Sequence, residues 1–181
     1  MKLRRHPLPL ILTVAFVGLL AAPAAPARTH APAASPTRAQ IRKAVRAAEH
    51  SRDLWATVNV CGGVRYPNVI GIRGQIPALG FPATLRMLFE IDYWDYNQRR
   101  FRPLTGVVQP VALENATRGT YQAGVRFKFQ PHTELLRGRV GFQWRVGSRT
   151  IGSAERLTRQ GHGSARYSDP SGFSDWKCVI R

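Results

Sequence analysis

The sequence predicts an all-β domain, an antiparallel two-sheet sandwich of about seven or eight strands. Three observations carry this. From Leu54 onward apolar residues recur at every second position, the period of a strand with one buried and one wet face. Past that point no stretch keeps the three-and-four spacing of a long helix. The 181 residues are 44% hydrophobic, enough for one core, cramped for two domains and incompatible with a wholly disordered chain. An up-and-down barrel is the competing arrangement. The sandwich is preferred because Phe101 to Ala116 reads as an irregular crossing segment, not a tight hairpin.

The chain opens with Lys2, Arg4 and Arg5, continues with the apolar run Leu8 to Ala22, and reaches the small residues Ala25-Pro26-Ala27. This order predicts a secretory signal peptide over 1–27 and hence a secreted, extracellular protein. The apolar run, about 15 residues, falls short of the roughly 20 needed to span a bilayer, so no stable membrane anchor is expected after cleavage. Loss of Lys2, Arg4 and Arg5 would take the formal charge from +17 to +14. Only Lys2, Lys43, Lys128 and Lys177 are lysine; the arginines are scattered, which fits a GC-rich coding sequence better than one clustered site.

Residues 28–36 are rich in Ala, Pro and Ser and predict a flexible linker. Thr37 and Gln40 have capping-box spacing, and Ile41, Ala44, Val45 and Ala48 form one apolar stripe, so 37–50 is a short helix. Arg38, Arg42, Lys43 and Arg46 lie largely off that stripe. Such a helix could rest on an anionic membrane, but a stripe with only two large apolar residues fits packing on the domain better.

The sandwich domain spans 51–181. Ile70, Ile72, Gly74 and Ile76 share one face of a strand, as do Leu85, Met87, Phe89, Ile91 and Tyr93 of the next. Tyr121, Ala123, Val125, Phe127 and Phe129 form a third series; Leu136, Val140, Phe142, Trp144 and Val146 form a fourth. Gly147-Ser148 suits a type II′ hairpin that would set Trp144 against Ile151. It would also set Arg139 against Arg156, a like-charge pair that a bulge toward Leu157 relieves. Gln160 to Gly172 is polar and rich in Gly and Ser, a loop. Trp176, Cys178 and Ile180 define a final short strand. Cys61 ends the first strand, and in an exported protein a Cys61–Cys178 disulfide is expected between first and last strands. A catalytic thiol would need His132 or His162 beside it, and no local signature supports one.

Leu54 to Cys61 (LWATVNVC), Ile70-Gly71-Ile72-Arg73-Gly74, Phe142-Gln143-Trp144-Arg145 and the terminal Cys178-x-Ile180 together resemble small exported actinobacterial proteins of uncharacterised function. The resemblance, which covers the leader and about Ile41 onward, implies an immunoglobulin-like or fibronectin type III-like sandwich. It implies no activity and no catalytic residues. Cys61 and Cys178 are also too far apart in sequence for the inter-sheet bridge of antibody domains.

Glu90 and Asp92 share a strand face roughly 7 Å apart, with Asp95 nearby. With His132 they are the residues an unrecognised hydrolase would use. On an open sheet both would stay ionised, so exposed pairing with Arg137, Arg139 and Arg145 is the preferred reading, each pair contributing about 0.2–1 kcal/mol. No catalytic residue and no cofactor is expected. His50, His132 and His162 are dispersed, so no metal is expected either. Phosphate-loop, nucleophile-elbow and metalloprotease motifs are missing, and Asn115-Ala116-Thr117 matches a glycosylation triplet by pattern alone. Arg73, Arg126 and Lys128 point out of strands with no alternating acid. They form a candidate patch for an anionic cell-surface polymer, polysaccharide or protein. Nucleic acid is disfavoured by export and by the lack of an RNA-recognition pattern. Trp94 and Tyr96 are candidates for stacking on sugar rings, the mark of a carbohydrate-binding module. The competing reading is that the Phe101 to Leu104 segment covers them. The expectation is therefore a non-enzymatic binding domain.

Overall fold

In a computed structural model, which describes residues 35–181, helix α1 (Arg38–Glu49) begins at the anticipated box. Gln40 N donates to Thr37 Oγ1, and Thr37 N donates to Gln40 Oε1. The leader expected over 1–27, and the linker as far as residue 34, lie outside the described residues.

Eight strands follow among the described residues. β1 (Trp55–Cys61), β2 (Val69–Pro77) and β5 (Thr120–Lys128) form a three-stranded sheet in the order β1-β2-β5. β3 (Ala83–Asp95), β4 (Arg100–Ala116), β6 (Glu134–Val146) and β7 (Arg149–Leu157) form the second sheet in the order β4-β3-β6-β7. β8 (Cys178–Ile180) pairs with the start of β6, and every ladder is antiparallel.

The alternation decides what lies between the sheets. Ile70, Ile72 and Ile76 from one sheet meet Leu85, Met87, Phe89, Ile91, Phe142 and Trp144 from the other, each at most 1% exposed. Trp144 donates its indole N–H to Pro77 O at 2.8 Å, which satisfies the one polar atom that this large side chain buries. The apolar stripe of α1 is spent on β7. A Cβ at Gly152 would fall 2.4 Å from Val45 Cγ1, so that glycine is what admits the helix.

Four expectations need correction. Phe101 to Ala116 is no irregular crossing but most of β4, hairpin-paired with β3. It does not alternate because it is an edge strand exposed along most of its length, where Pro103 and Pro110 are tolerated. A bulge at 104–107, with Gly106 at φ +81°, further breaks its period. The crossing to the other sheet comes later, at Arg118-Gly119. Secondly, Trp144 pairs with Gly152, not Ile151; the bulge toward Leu157 is present, with Ile151 out of register, and it sets Arg139 against Leu157 in place of Arg156. Thirdly, Val146 and Trp176 are exposed, at 46% and 37%, because one lies at the hairpin tip and the other precedes β8.

The fourth correction matters most. β1 has no wet face: both faces are buried as far as Val60. The polar segment 158–177 lies as a strap along it. Arg159 N donates to Ala56 O, Val58 and Asp175 exchange two backbone hydrogen bonds, and Asp169 N donates to Asn59 O. His162 stacks on Trp55 with ring centres 4.5 Å apart. The Ser and Asp residues that read as solvent-loving are in part hydrogen-bonding groups for the polar side chains of β1, as where Ser174 meets Thr57. The Cys61–Cys178 disulfide, with Cα atoms 5.3 Å apart, ties the end of β1 to β8 across the two sheets.

Candidate functional site

Beyond the strap, the outer face of the three-stranded sheet presents Arg73 on β2 and Arg126 on β5. In the ladder Arg73 faces Gly124 and Arg126 faces Gly71. The two arginines are thus diagonal neighbours, roughly 7–8 Å apart at the backbone. Their glycine partners leave room for both side chains. A Cβ at Gly124 would lie 2.6 Å from Ile72 O and 2.9 Å from Arg73 Cζ and Nε, so Arg73 lies directly over a bare backbone.

Two tyrosines flank the pair. The Arg73 guanidinium sits over the Tyr167 ring at 5.2 Å and that of Arg126 over Tyr66 at 4.3 Å. Arg65 approaches Tyr66 from the β1–β2 turn at 5.4 Å. Tyr167 comes from the strap, is 73% exposed, and holds φ +57°, an unusual conformation for a bulky residue. Asn59 fixes it there: its buried side-chain amide donates to Arg166 O and Tyr167 O at 3.0 and 3.2 Å. Between them lies an open pocket of about 410 Å³, lined by Asn59, Arg73, Gly124, Val125, Arg126 and Tyr167. Lys128 stands further along β5, beside Pro67 and Asn68, and extends the basic face without lining this pocket.

The electrostatics are one-sided. Burial lowers the Arg73 guanidinium below its ordinary value; Arg126 and Arg166 push the same way, against Tyr167. Among the described residues, no ion pair engages Arg65, Arg73, Arg126, Lys128 or Arg166.

The acidic strand is built in the opposite sense. Asp92 is fully buried and accepts from Arg137 Nε at 2.9 Å and from Arg139 NH2 at 3.1 Å. The exposed pairing expected here is therefore a buried clamp, because both guanidinium stems fold over the carboxylate. Hydrogen bonding to Asp92 raises the Arg139 guanidinium above its ordinary value, with burial opposing. Arg145 is not part of the clamp; it faces Thr84 and donates to Ser148 O. Glu90 faces Arg139 across the ladder, and His132 stands in the β5–β6 connection with Nδ1 at 2.7 Å from Gln130 O. Among the described residues, no group of His, Cys, Asp and Glu side chains could hold a metal ion. Of the two aromatics singled out for sugar stacking, Trp94 meets Phe101 edge to face at 5.1 Å, while Tyr96 is 66% exposed in the β3–β4 turn.

Sequence reasoning missed Asn59 of β1, and Arg65, Tyr66, Arg166 and Tyr167, which reach the site from the β1–β2 turn and the strap. One signal was present: Asn59, like Thr57, is polar in an otherwise apolar run. No protein-family model matches the chain, and no curated protein matches it.

Proposed function

We propose that this protein is an exported, non-enzymatic β-sandwich domain of the immunoglobulin-like, fibronectin type III-like kind. In this reading it holds an anionic segment of an extracellular surface polymer on the outer face of β2 and β5. The strand orders β1-β2-β5 and β4-β3-β6-β7 support the fold type, since they place consecutive strands in two sheets as a Greek key does. The basic, apolar and small-residue order of 1–27, together with a disulfide suited to an oxidising compartment, supports export. The commitment of Asp92 to two guanidinium groups supports a non-enzymatic role, because a buried carboxylate already engaged by both is not open to a substrate.

One observation carries the binding proposal: Arg73 and Arg126 line one pocket with no carboxylate among its lining residues, and Arg166 of the strap adds to the positive charge acting on Arg73. Neighbouring guanidinium groups repel, and a phosphate or carboxylate placed among them removes that repulsion while accepting charge-assisted hydrogen bonds. The test is retention of the intact chain on immobilised teichoic acid or heparin as salt is raised. Steep loss of retention with salt is expected, and Arg126→Glu should elute at clearly lower salt than the wild type. Equal elution of wild type, Arg126→Glu and Arg73→Gln would overturn the proposal.

A further inference from the structure

A second groove, of about 840 Å³, runs where β1 and the end of β7 meet the turn after α1 and the strap. It shares no lining residue with the Arg73–Arg126 pocket. Its character is mixed. Trp176 and Leu157 offer exposed apolar surface, 37% and 36% respectively. The indole packs edge to face with Phe101, ring centres 6.2 Å apart, and Lys177 Nζ lies over its ring at 4.5 Å. An indole held in place by packing offers a flat apolar face that loses no side-chain freedom when a ligand covers it.

The charged groups sort into engaged and unengaged. Arg137 is taken up by Asp92, and Arg156 donates to Glu49 O and Glu155 O. Glu155, the only carboxylate among the lining residues, faces Arg139 at 3.5 Å. Arg52 and Arg159 line the same groove and enter no ion pair among the described residues. His162 lies against Trp55, and burial, aided by Arg159, holds its imidazole below the ordinary histidine value, so it is neutral at physiological pH.

We infer that this groove takes an acidic pyranose, a uronate unit of a polysaccharide, with the apolar ring face on Trp176 and Leu157 and the carboxylate toward Arg52 and Arg159. The chemistry matches part by part: a sugar ring has a C–H face that suits an indole, and a carboxylate suits two guanidinium groups lacking partners. Neutral His162 adds a hydrogen-bonding group for ring hydroxyls without adding further positive charge. The inference is independent of the basic face, which needs only charge.

Calorimetric titration of the intact chain with tetragalacturonic acid, against the neutral galactose tetramer, tests it. The acidic tetramer should bind at least about tenfold more tightly than the neutral one. Trp176→Ala and Arg52→Glu should each weaken it by about tenfold or more, whereas Arg118→Glu, the same change of charge in the exposed β4–β5 turn and outside both pockets, should leave it unchanged. Arg52 lies in an exposed turn, so its variant keeps the test valid should Trp176→Ala fail to fold. Absence of binding, equal affinity for both tetramers, or indifference to both groove variants would overturn the groove. Loss in Arg126→Glu alone would also overturn it, while supporting the basic face as the anion site.

Discussion

On the outer face of β3 and β6, Arg137 and Arg139 converge on one buried carboxylate; on the outer face of β2 and β5, Arg73 and Arg126, with Arg166 of the strap acting on Arg73, have none. The guanidinium is the same and the protonation equilibria move oppositely, upward at Arg139 through its bond to Asp92 and downward at Arg73 through burial. An arginine with an internal acid is part of the scaffold. An arginine held half-buried beside other arginines, with aromatic rings to position it, carries a deficit that an external anion can fill. Sequence counts of basic residues do not separate these two uses; cross-strand neighbours do.

The sharpest way to break the contrast is Asp92→Ala. It would strand two guanidinium groups against the sheet and should cost about 3–5 kcal/mol in urea unfolding, as removal of one partner from a buried ion pair does. A loss below about 1 kcal/mol would place the clamp among ordinary surface pairs. Gly124→Ala comes next. Its Cβ would press on Ile72 O and Arg73, so a loss of about 1–3 kcal/mol and weaker polyanion retention are expected together. Arg126→Ser should behave quite differently from Asp92→Ala. Stability should stay within about 0.5 kcal/mol of wild type while retention drops, and a large destabilisation would show Arg126 to be scaffold.

The smallest effect concerns pH. The folded-state value of His162 is lowered, so the native state favours the neutral ring. Its contribution to stability is present above the ordinary histidine value and is lost as pH falls through the lowered one. His162→Phe keeps a ring over Trp55 and should flatten the decline in melting temperature between about pH 7 and 5.5. An unchanged slope would assign that decline to other groups.

The sandwich was legible because Ile70 to Ile76, Leu85 to Tyr93 and Leu136 to Trp144 each bury one face, and burial of one face writes itself into every second residue. β4 was not legible, since an edge strand exposed along most of its length has no reason to alternate. The same limit hid the strap. Its order comes from hydrogen bonds to Thr57 and Asn59, and those partners are distant in sequence. Arg73 and Arg126 could be marked from the sequence because the strand period assigned their faces. Tyr167 and Arg166 could not, because a loop has no period to read.

The covalent clasp between Cys61 and Cys178 has a reach that its position at the margin of the sandwich conceals. The strap begins at the end of β7 and finishes at Cys178, so the bridge anchors the distal end of the segment that supplies Tyr167 and Arg166. Under the proposed anion-binding role, a thiol reductant should blunt retention on polyanions before it unfolds the sheets.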